Sequence, residues 1–259
     1  TNYLKNGYVA DDKTNESVAR TLEFALSDYC IAQMAKALGK TADYEDLMRR
    51  AKNYRYLYNP KTKLFQARNA DGSWAGEHSG FTEGANWTYQ FCVMQDVQGL
   101  IDLMGGDESF AAALDNVFDN GHYRHDNEPG HHYVYLYNYC GRFDKAQERI
   151  PEILDTHYRN GADGLSGNDD CGQMSAWYLF SSLGFYPVTP ASGEYALGIP
   201  RFPSARVELP HGKVLTVRAE GLKEHKHLPV ILFNGKKLDA PFIDIHDLMK
   251  GGVLEFKAE

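Results

Sequence analysis

A mainly α-helical chain followed by a small β region is the fold class that the sequence predicts, on three observations. Apolar residues recur in steps of three and four through successive blocks of residues 1–186, the signature of helices with one buried face. Glycine, proline and asparagine punctuate those blocks at helix-length intervals. After Tyr186-Pro187 the pattern changes, over residues 187–259, to short β-branched segments separated by turn residues. Helices in antiparallel pairs therefore come first and strands last.

The first strong helix is expected from Asn15 to Leu38. Val18, Leu22, Ala25, Tyr29 and Ala32 lie on one stripe, and Gly39 stops it. A second covers Asp43 to Tyr58 with Leu47, Ala51 and Tyr54 inward, ended by Asn59-Pro60. Residues 60–81 read as loop, because Asn69, Asp71, Gly72, Gly76 and Gly80 are turn formers. One helix is expected from Gly84 to Met104, closed by Gly105-Gly106, and another from Asp107 to Asp119. Glu128-Pro129 opens a helix to Cys140 and Gly141, since proline suits the first turn. The next runs from Asp144 to Tyr158, with Pro151 as a kink. Gly161, Gly164 and Gly167 mark a flexible loop. A last helix is expected from Gly172 to Leu183, closed by Gly184. Ala205–Leu209, Val214–Ala219 and Val230–Phe233 read as strands, and Asn234-Gly235 as a hairpin turn.

Composition narrows the classes of function. The chain has 259 residues, 43% hydrophobic and 24% charged, which suits a globular domain with a real core. Its 35 acidic and 27 basic residues give a formal charge of −8. No run of five or more Lys and Arg occurs, which argues against nucleic acid or an anionic membrane as partner. No apolar run reaches the roughly 18 residues of a membrane span. The four cysteines (Cys30, Cys92, Cys140 and Cys171) form no C-x-x-C, so zinc and redox motifs are not expected. Three of them lie in apolar helical contexts, where a buried free thiol is the default. Aromatics reach 13%, which suits a sugar cleft as well as a core. Thr1 stands where an initiator methionine would be, with no signal peptide after it, and the chain is read as a piece of a longer polypeptide.

Three segments carry chemistry. In Phe81-Thr82-Glu83-Gly84-Ala85-Asn86-Trp87-Thr88-Tyr89, Glu83 joins a Gly-rich loop to an aromatic stretch. Flanking rings would desolvate the carboxyl and raise its pKa, which a general acid needs. Alternatively, Glu83 caps the helix start, favoured by the dipole. In His125-Asp126-Asn127-Glu128-Pro129-Gly130-His131-His132, carboxylate, amide and backbone oxygens suit a hard cation such as Ca²⁺. Capping and core packing explain the same residues. Adjacent imidazoles His131 and His132 would point about 100° apart on a helix and rarely share one metal. In Gly167-Asn168-Asp169-Asp170-Cys171-Gly172, oxygens gather on a tight turn at a helix N-terminus. That turn could hold a metal or a carboxylate that activates water, or it could be an N-cap cluster.

Together these segments resemble glycoside hydrolase family 92, the calcium-dependent α-mannosidases. Thr82-Glu83-Gly84-Ala85-Asn86-Trp87 is similar to the family's T-E-G-N-A-W with two residues exchanged, and Gly105-Gly106 follows. Asn127-Glu128-Pro129-Gly130-His131-His132 is similar to N-E-P-S-H-H with Gly130 for serine, continued by Tyr135-Leu136-Tyr137-Asn138-Tyr139. Gly167 to Tyr178 and Gly184-Phe185-Tyr186-Pro187-Val188 extend the likeness over nearly the whole chain. Met94-Gln95-Asp96 stands where the family often shows Pro-His-Asp.

The resemblance implies part of an (α/α)6 toroid, with the late strands completing a β-sandwich whose remainder, an N-terminal β-sandwich region, belongs to the same polypeptide. It implies an exo-acting enzyme that releases mannose from mannose-containing oligosaccharides, α-1,2-linked most commonly, in the periplasm or secreted. Glu83 falls at the general acid and Asp170 at the general base. Asn168 stands where some members carry a second, assisting Asp. Asn127, Glu128 and Asp170 fall at the Ca²⁺ site, and His125, His131, Trp87 and Asp169 at sugar contacts. The implied mechanism inverts the anomeric centre, with carboxyls roughly 6.5–9.5 Å apart to admit a water. This chain alone is expected to be inactive or weakly active. The competing readings are an inverting glycosidase of another sugar specificity, a glycan-binding module without turnover, and a structural fragment.

Overall fold

The computed structural model describes residues 2–258; Thr1, read above as opening a piece of a longer polypeptide, lies outside the described residues. The chain is mostly helical with smaller sheets. It divides into two compact units: one extends to Tyr123 and takes in Pro190–Ser192, and the other comprises Arg124–Thr189 and the residues from Gly193 onward.

In the first unit, α1 (Asn2–Asn6) precedes α2 (Ser17–Ala37) and α3 (Thr41–Arg50). The α2 stripe predicted from the sequence is buried, with Val18, Leu22, Ala25 and Ala32 inward. Ala32 and Ala35 pack on Leu47 of α3, flanked by Tyr44 and Met48. On α2, Asp28 accepts hydrogen bonds from Tyr3 Oη at 2.9 Å and Arg50 at 2.5 Å. The second expected helix is shorter than predicted. It ends at Arg50 and gives way to a 3-10 turn, Asn53–Leu57. β1 (Tyr58–Asn59) and β2 (Leu64–Phe65) then pair antiparallel.

The helix expected over residues 84–104 is not continuous. It resolves into α4 (Asn86–Tyr89), a 3-10 turn (Met94–Asp96) and α5 (Val97–Met104). Phe91, Cys92 and Val93 between them are all buried, so no one-sided stripe holds a helix there. Asp96 restarts the helix by capping Gly99 N at 3.3 Å. Its carboxylate also accepts from Tyr54 Oη at 2.8 Å. Gly105 closes α5 in the left-handed conformation, and α6 (Asp107–Asp119) follows with its predicted bounds.

In the second unit, the helix expected from Glu128 to Cys140 is two stretches of 3-10 helix, Glu128–Gly130 and Tyr133–Cys140. Every residue of the longer stretch except Tyr139 is buried. α7 (Phe143–Thr156) keeps Pro151 within it, and α8 (Gln173–Leu183) ends at Gly184. The glycine segment between them is not slack. Arg159 N donates to Gly164 O at 2.9 Å, Gly164 N to Gly161 O at 3.1 Å, and Tyr158 bridges to Leu165.

β3 (Phe185–Tyr186), β4 (Glu194–Leu197) and β9 (Phe242–Asp244) form one antiparallel sheet. β5 (Ser204–Glu208), β6 (Val214–Glu220), β7 (Val230–Phe233), β8 (Lys236–Lys237) and β10 (Gly252–Lys257) form another in the order β5-β6-β10-β7-β8, with β10 parallel to β6. The short α9 (Ile245–Leu248) lies before β10. Leu215, Val217 and Ala219 alternate inward along β6, as a one-faced strand requires. Asn234-Gly235 makes the predicted β7–β8 turn, both residues at positive φ. Gln147 of α7 braces helix to strands: its side chain donates to Gly198 O and Leu228 O and accepts from Leu228 N, at 2.9–3.1 Å.

Candidate active site

Glu83 lies in the first unit, on the irregular stretch before α4. The segment leading to it is pinned to the start of α2. Val18 N and Ala19 N, whose amides lack helical partners, donate to Gly80 O at 2.9 and 3.1 Å. Gly80 sits at φ +87°, where a Cβ would come within 2.7 Å of Ser17 Oγ. Asp11 accepts from Ser17 Oγ at 2.7 Å and from Ser79 Oγ at 2.5 Å. Beyond Gly80, Tyr89 Oη donates to Thr82 O at 2.7 Å, and its ring lies 5.7 Å from that of Phe81. Glu83 itself has φ +50°, a left-handed conformation that a non-glycine residue adopts at some energetic cost.

The expected desolvation of Glu83 by Phe81, Trp87 and Tyr89 is not found: Glu83 is exposed. Tyr89 is buried, with its hydroxyl spent on Thr82, and Phe81 and Trp87 are themselves half-buried. Trp87 is half-buried and stacks face to face on His122, ring centroids 4.4 Å apart. Gln95, at the position where a histidine is common in the resembled family, donates to Ala51 O at 3.1 Å. Its Oε1 is buried without a hydrogen-bond partner among the described residues.

The other candidates lie in the second unit. The segments 125–132 and 164–172 touch at Gly167, where a Cβ would fall 2.2 Å from Asp126 O and 2.7 Å from Asp126 Cα. Only glycine permits that approach. The Asp126 side chain is turned to Arg124, which grips both its oxygens at 2.7 and 2.5 Å and holds the carboxyl below the usual carboxylate range. Asn127 accepts from Glu128 N at 3.0 Å and starts the 3-10 turn, with Glu128 half-buried beside it.

Asn168, Asp169 and Asp170 are exposed. Asp169 accepts from Ser175 N at 3.0 Å and Ser175 Oγ at 2.7 Å, which lowers its pKa and caps α8. Asp170 makes no hydrogen bond among the described residues through its side chain. Cys171 at φ +53° and Gly172 at φ +75° turn the chain from Asp170 into α8.

His125 and His131 are buried at 0% and 2% exposure and form the floor beneath these segments. Tyr158 Oη donates to Met174 O at 3.0 Å, so His125 Nε2, 2.7 Å from that oxygen, is the donor. His131 Nε2 donates to His125 O at 3.0 Å, and His131 Nδ1 accepts from Gln173 Nε2 at 3.3 Å. Gln173 also donates to Tyr186 Oη at 2.8 Å, and Trp177 Nε1 donates to His131 O at 2.8 Å. Burial pushes the pKa of His125 down to about 2 and lowers that of His131, so both imidazoles are neutral.

The sequence reading named Glu83, Asp170, Asn168, Asn127, Glu128, His125, His131, Trp87 and Asp169. It did not single out Asp11, Gly80, Tyr158 or Gln173, and it weighed Tyr89 only as a neighbouring ring. Asp11 and Gly80 carry a weak signal, turn-type residues beside a helix start and a candidate carboxylate. Gln173 and Tyr158 carry none by themselves, because their roles depend on tertiary contacts.

The family model of the glycosyl hydrolase family 92 catalytic domain matches residues 1–259. The chain belongs to glycosyl hydrolase family 92. Among solved structures it is similar to the GH92 α-mannosidase BT3965 of Bacteroides thetaiotaomicron, at 42% identity and TM-score 0.92 over 97% of this chain and 35% of that one. A complex of BT3965 with mannoimidazole matches at 40% identity and TM-score 0.91, covering 98% and 37%. The GH92 inverting mannosidase BT2199 of the same bacterium matches at 34% identity and TM-score 0.92, covering 99% and 39%. A curated relative, an uncharacterized secreted glycosidase of Arthroderma benhamiae, is 28% identical over 96% of this chain and 36% of its own length. The chain thus spans little more than a third of the relatives it matches.

No group of three or more His, Cys, Asp and Glu converges as a metal cluster among the described residues. The oxygen donors of Asn127, Glu128 and Asp170 nevertheless have the chemistry a hard cation takes, and the cradle at Gly167 holds their two segments together.

Proposed function

We propose that the protein is an exo-acting α-mannosidase, a hydrolase that releases terminal mannose, α-1,2-linked first among linkages, with inversion. The observation that carries this reading is the 42% identity, over 97% of the chain, to a GH92 α-mannosidase whose fold it shares at TM-score 0.92. Glu83 donates its proton to the glycosidic oxygen as the C1–O bond breaks. Asp170 takes a proton from the water whose oxygen bonds to C1 on the opposite face, and the Asn168 amide orients that water. With both oxygens of Asp169 engaged by Ser175, Asp170 is the carboxylate of the pair left for the base role.

Trp87, stacked on His122, offers a face for the C–H side of a pyranose, and Asp169 is a further sugar contact in this reading. His125 and His131 hold the turn carrying Asp170 through Tyr158, Gln173 and Trp177. Asn127, Glu128 and Asp170 would hold Ca²⁺. When bound, the cation supplies positive charge at the sugar hydroxyls and favours a flattened, oxocarbenium-like ring. The longer polypeptide supplies the rest of an (α/α)6 toroid, an N-terminal β-sandwich that the strands after residue 187 complete, and cover over Glu83 that desolvates it. A secreted location is supported by the description of the curated relative, and a periplasmic one is what the family likeness implies.

Incubating the full-length protein with α-1,2-mannobiose and recording the first-formed anomer by NMR tests the reading. The β anomer of mannose is expected, and its loss in Glu83→Gln by roughly 10²-fold or more, the usual share of a general acid. Release of the α anomer, or an undiminished Glu83→Gln variant, would contradict the assignment.

A further inference from the structure

We propose that Tyr89 and Asp11 are positioning residues for the Glu83 carboxyl. The inference rests on the reading of Glu83 as general acid and extends it to how that acid is held.

Glu83 is exposed and left-handed, so a short peptide segment with that φ would relax toward the helical or extended regions. Three contacts just before it prevent this. Asp11 receives Ser79 Oγ and Ser17 Oγ on its two oxygens. The first amides of α2 donate to Gly80 O. Tyr89, itself 6% exposed, donates its hydroxyl hydrogen to Thr82 O, the carbonyl of the peptide bond that leads into Glu83. The Tyr89 contact is therefore the last fixed point before the carboxyl, and the Asp11 contact anchors the other end of the same five-residue bracket, Ser79 to Glu83. Tyr89 is buried and Asp11 is half-buried in the turn before α2, and both contacts are present without a bound sugar. A general acid displaced by about 1 Å loses on the order of 10² in rate. Holding the peptide plane at Thr82 is thus a means of holding the proton in line with the glycosidic oxygen.

The test uses the full-length protein with Glu83→Gln, Tyr89→Phe, Asp11→Ala and Asp11→Asn, on two substrates: α-1,2-mannobiose and α-mannosyl fluoride. Fluoride departs without protonation, so it reports every part of the site except the acid. Tyr89→Phe removes one oxygen and leaves the ring packed against Phe81. The expected result is a kcat on mannobiose lowered about 10- to 100-fold with KM little changed, and a much smaller loss on the fluoride, in both Tyr89→Phe and Asp11→Ala. Asp11→Asn, which can still accept from one serine and donate to the other, is expected to restore most of the loss. Equal losses on both substrates, or none, in Tyr89→Phe would overturn the proposal even if Asp11→Ala failed to fold. If Glu83→Gln itself lost activity equally on the two substrates, the acid assignment would fall, and the positioning role with it.

Discussion

At the residue scale, two non-glycine residues with left-handed backbone sit at the candidate carboxylates, Glu83 itself and Cys171 immediately after Asp170. The segment before Glu83 is held from outside by Asp11, the start of α2 and Tyr89, which is how strained conformations persist. In the segment that leads to Cys171, Gly167 is where the chain meets the Asp126 backbone. A Gly167→Ala substitution drives a methyl into the Asp126 backbone, which has no flexible side-chain end to yield. We expect a stability loss of about 1–3 kcal/mol together with weaker Ca²⁺ binding, read by chemical denaturation and by calcium titration. Retained affinity in a folded Gly167→Ala variant would contradict the cradle. Trp177→Phe, which leaves His131 O without its indole donor, is expected to lower stability by about 1–3 kcal/mol through the unpaired buried carbonyl and lost packing. Glu83, Asp170 and the Asn127-Glu128 pair stand out as candidates through the family likeness, since residue type and neighbours alone fit helix capping as well as acid, base and cation chemistry. The sequence did not make the floor beneath them legible. His131 stands as a sugar contact in the family likeness, yet it is buried and its ring nitrogens meet His125 O and Gln173, 6 and 42 positions away.

At the element scale, helices with a single buried face were legible and those buried all round were not. α6 matches its predicted bounds, and α2 and α8 lie within two residues of theirs. The stretch over 84–104 misled because its apolar residues face inward regardless of period, and the chain folds as two short helices about a buried Phe91–Val93 link. Tyr133–Cys140 misled in the same way, with a tighter helix where an amphipathic one was expected. The β7–β8 turn was legible from Asn234-Gly235 alone. Asn234 there takes φ +50° and accepts from Val253 N at 2.8 Å, tying the turn to β10. Asn234→Ala is expected to destabilise by about 1–2 kcal/mol, seen as a lower denaturation midpoint with mannosidase activity per folded molecule unchanged. A loss of activity without loss of stability would place this turn nearer the chemistry than its sheet suggests.

At the scale of the whole molecule, the chain brings two compact units, with Glu83 on one and the Asn127, Glu128 and Asp170 set on the other. The proposed acid and the proposed base thus belong to different units. The chain spans 35–39% of the length of its structural relatives, and the isolated 259-residue chain is expected to release mannose weakly or not at all. Robust hydrolysis by that chain would contradict the need for the remaining length. The net charge of −8 accords with a site built on carboxylates and a cation, and sets no linkage preference.

The central claim, a Ca²⁺-assisted α-mannosidase, is tested most directly by following mannose release from α-1,2-mannobiose by the full-length protein before EDTA, after EDTA, and after Ca²⁺ is restored. The expected result is activity that EDTA abolishes and Ca²⁺ restores, with Asp170→Asn inactive throughout. Hydrolysis that continues undiminished in EDTA would mean that Asn127, Glu128 and Asp170 hold no cation needed for the reaction, and that the fold carries a different chemistry.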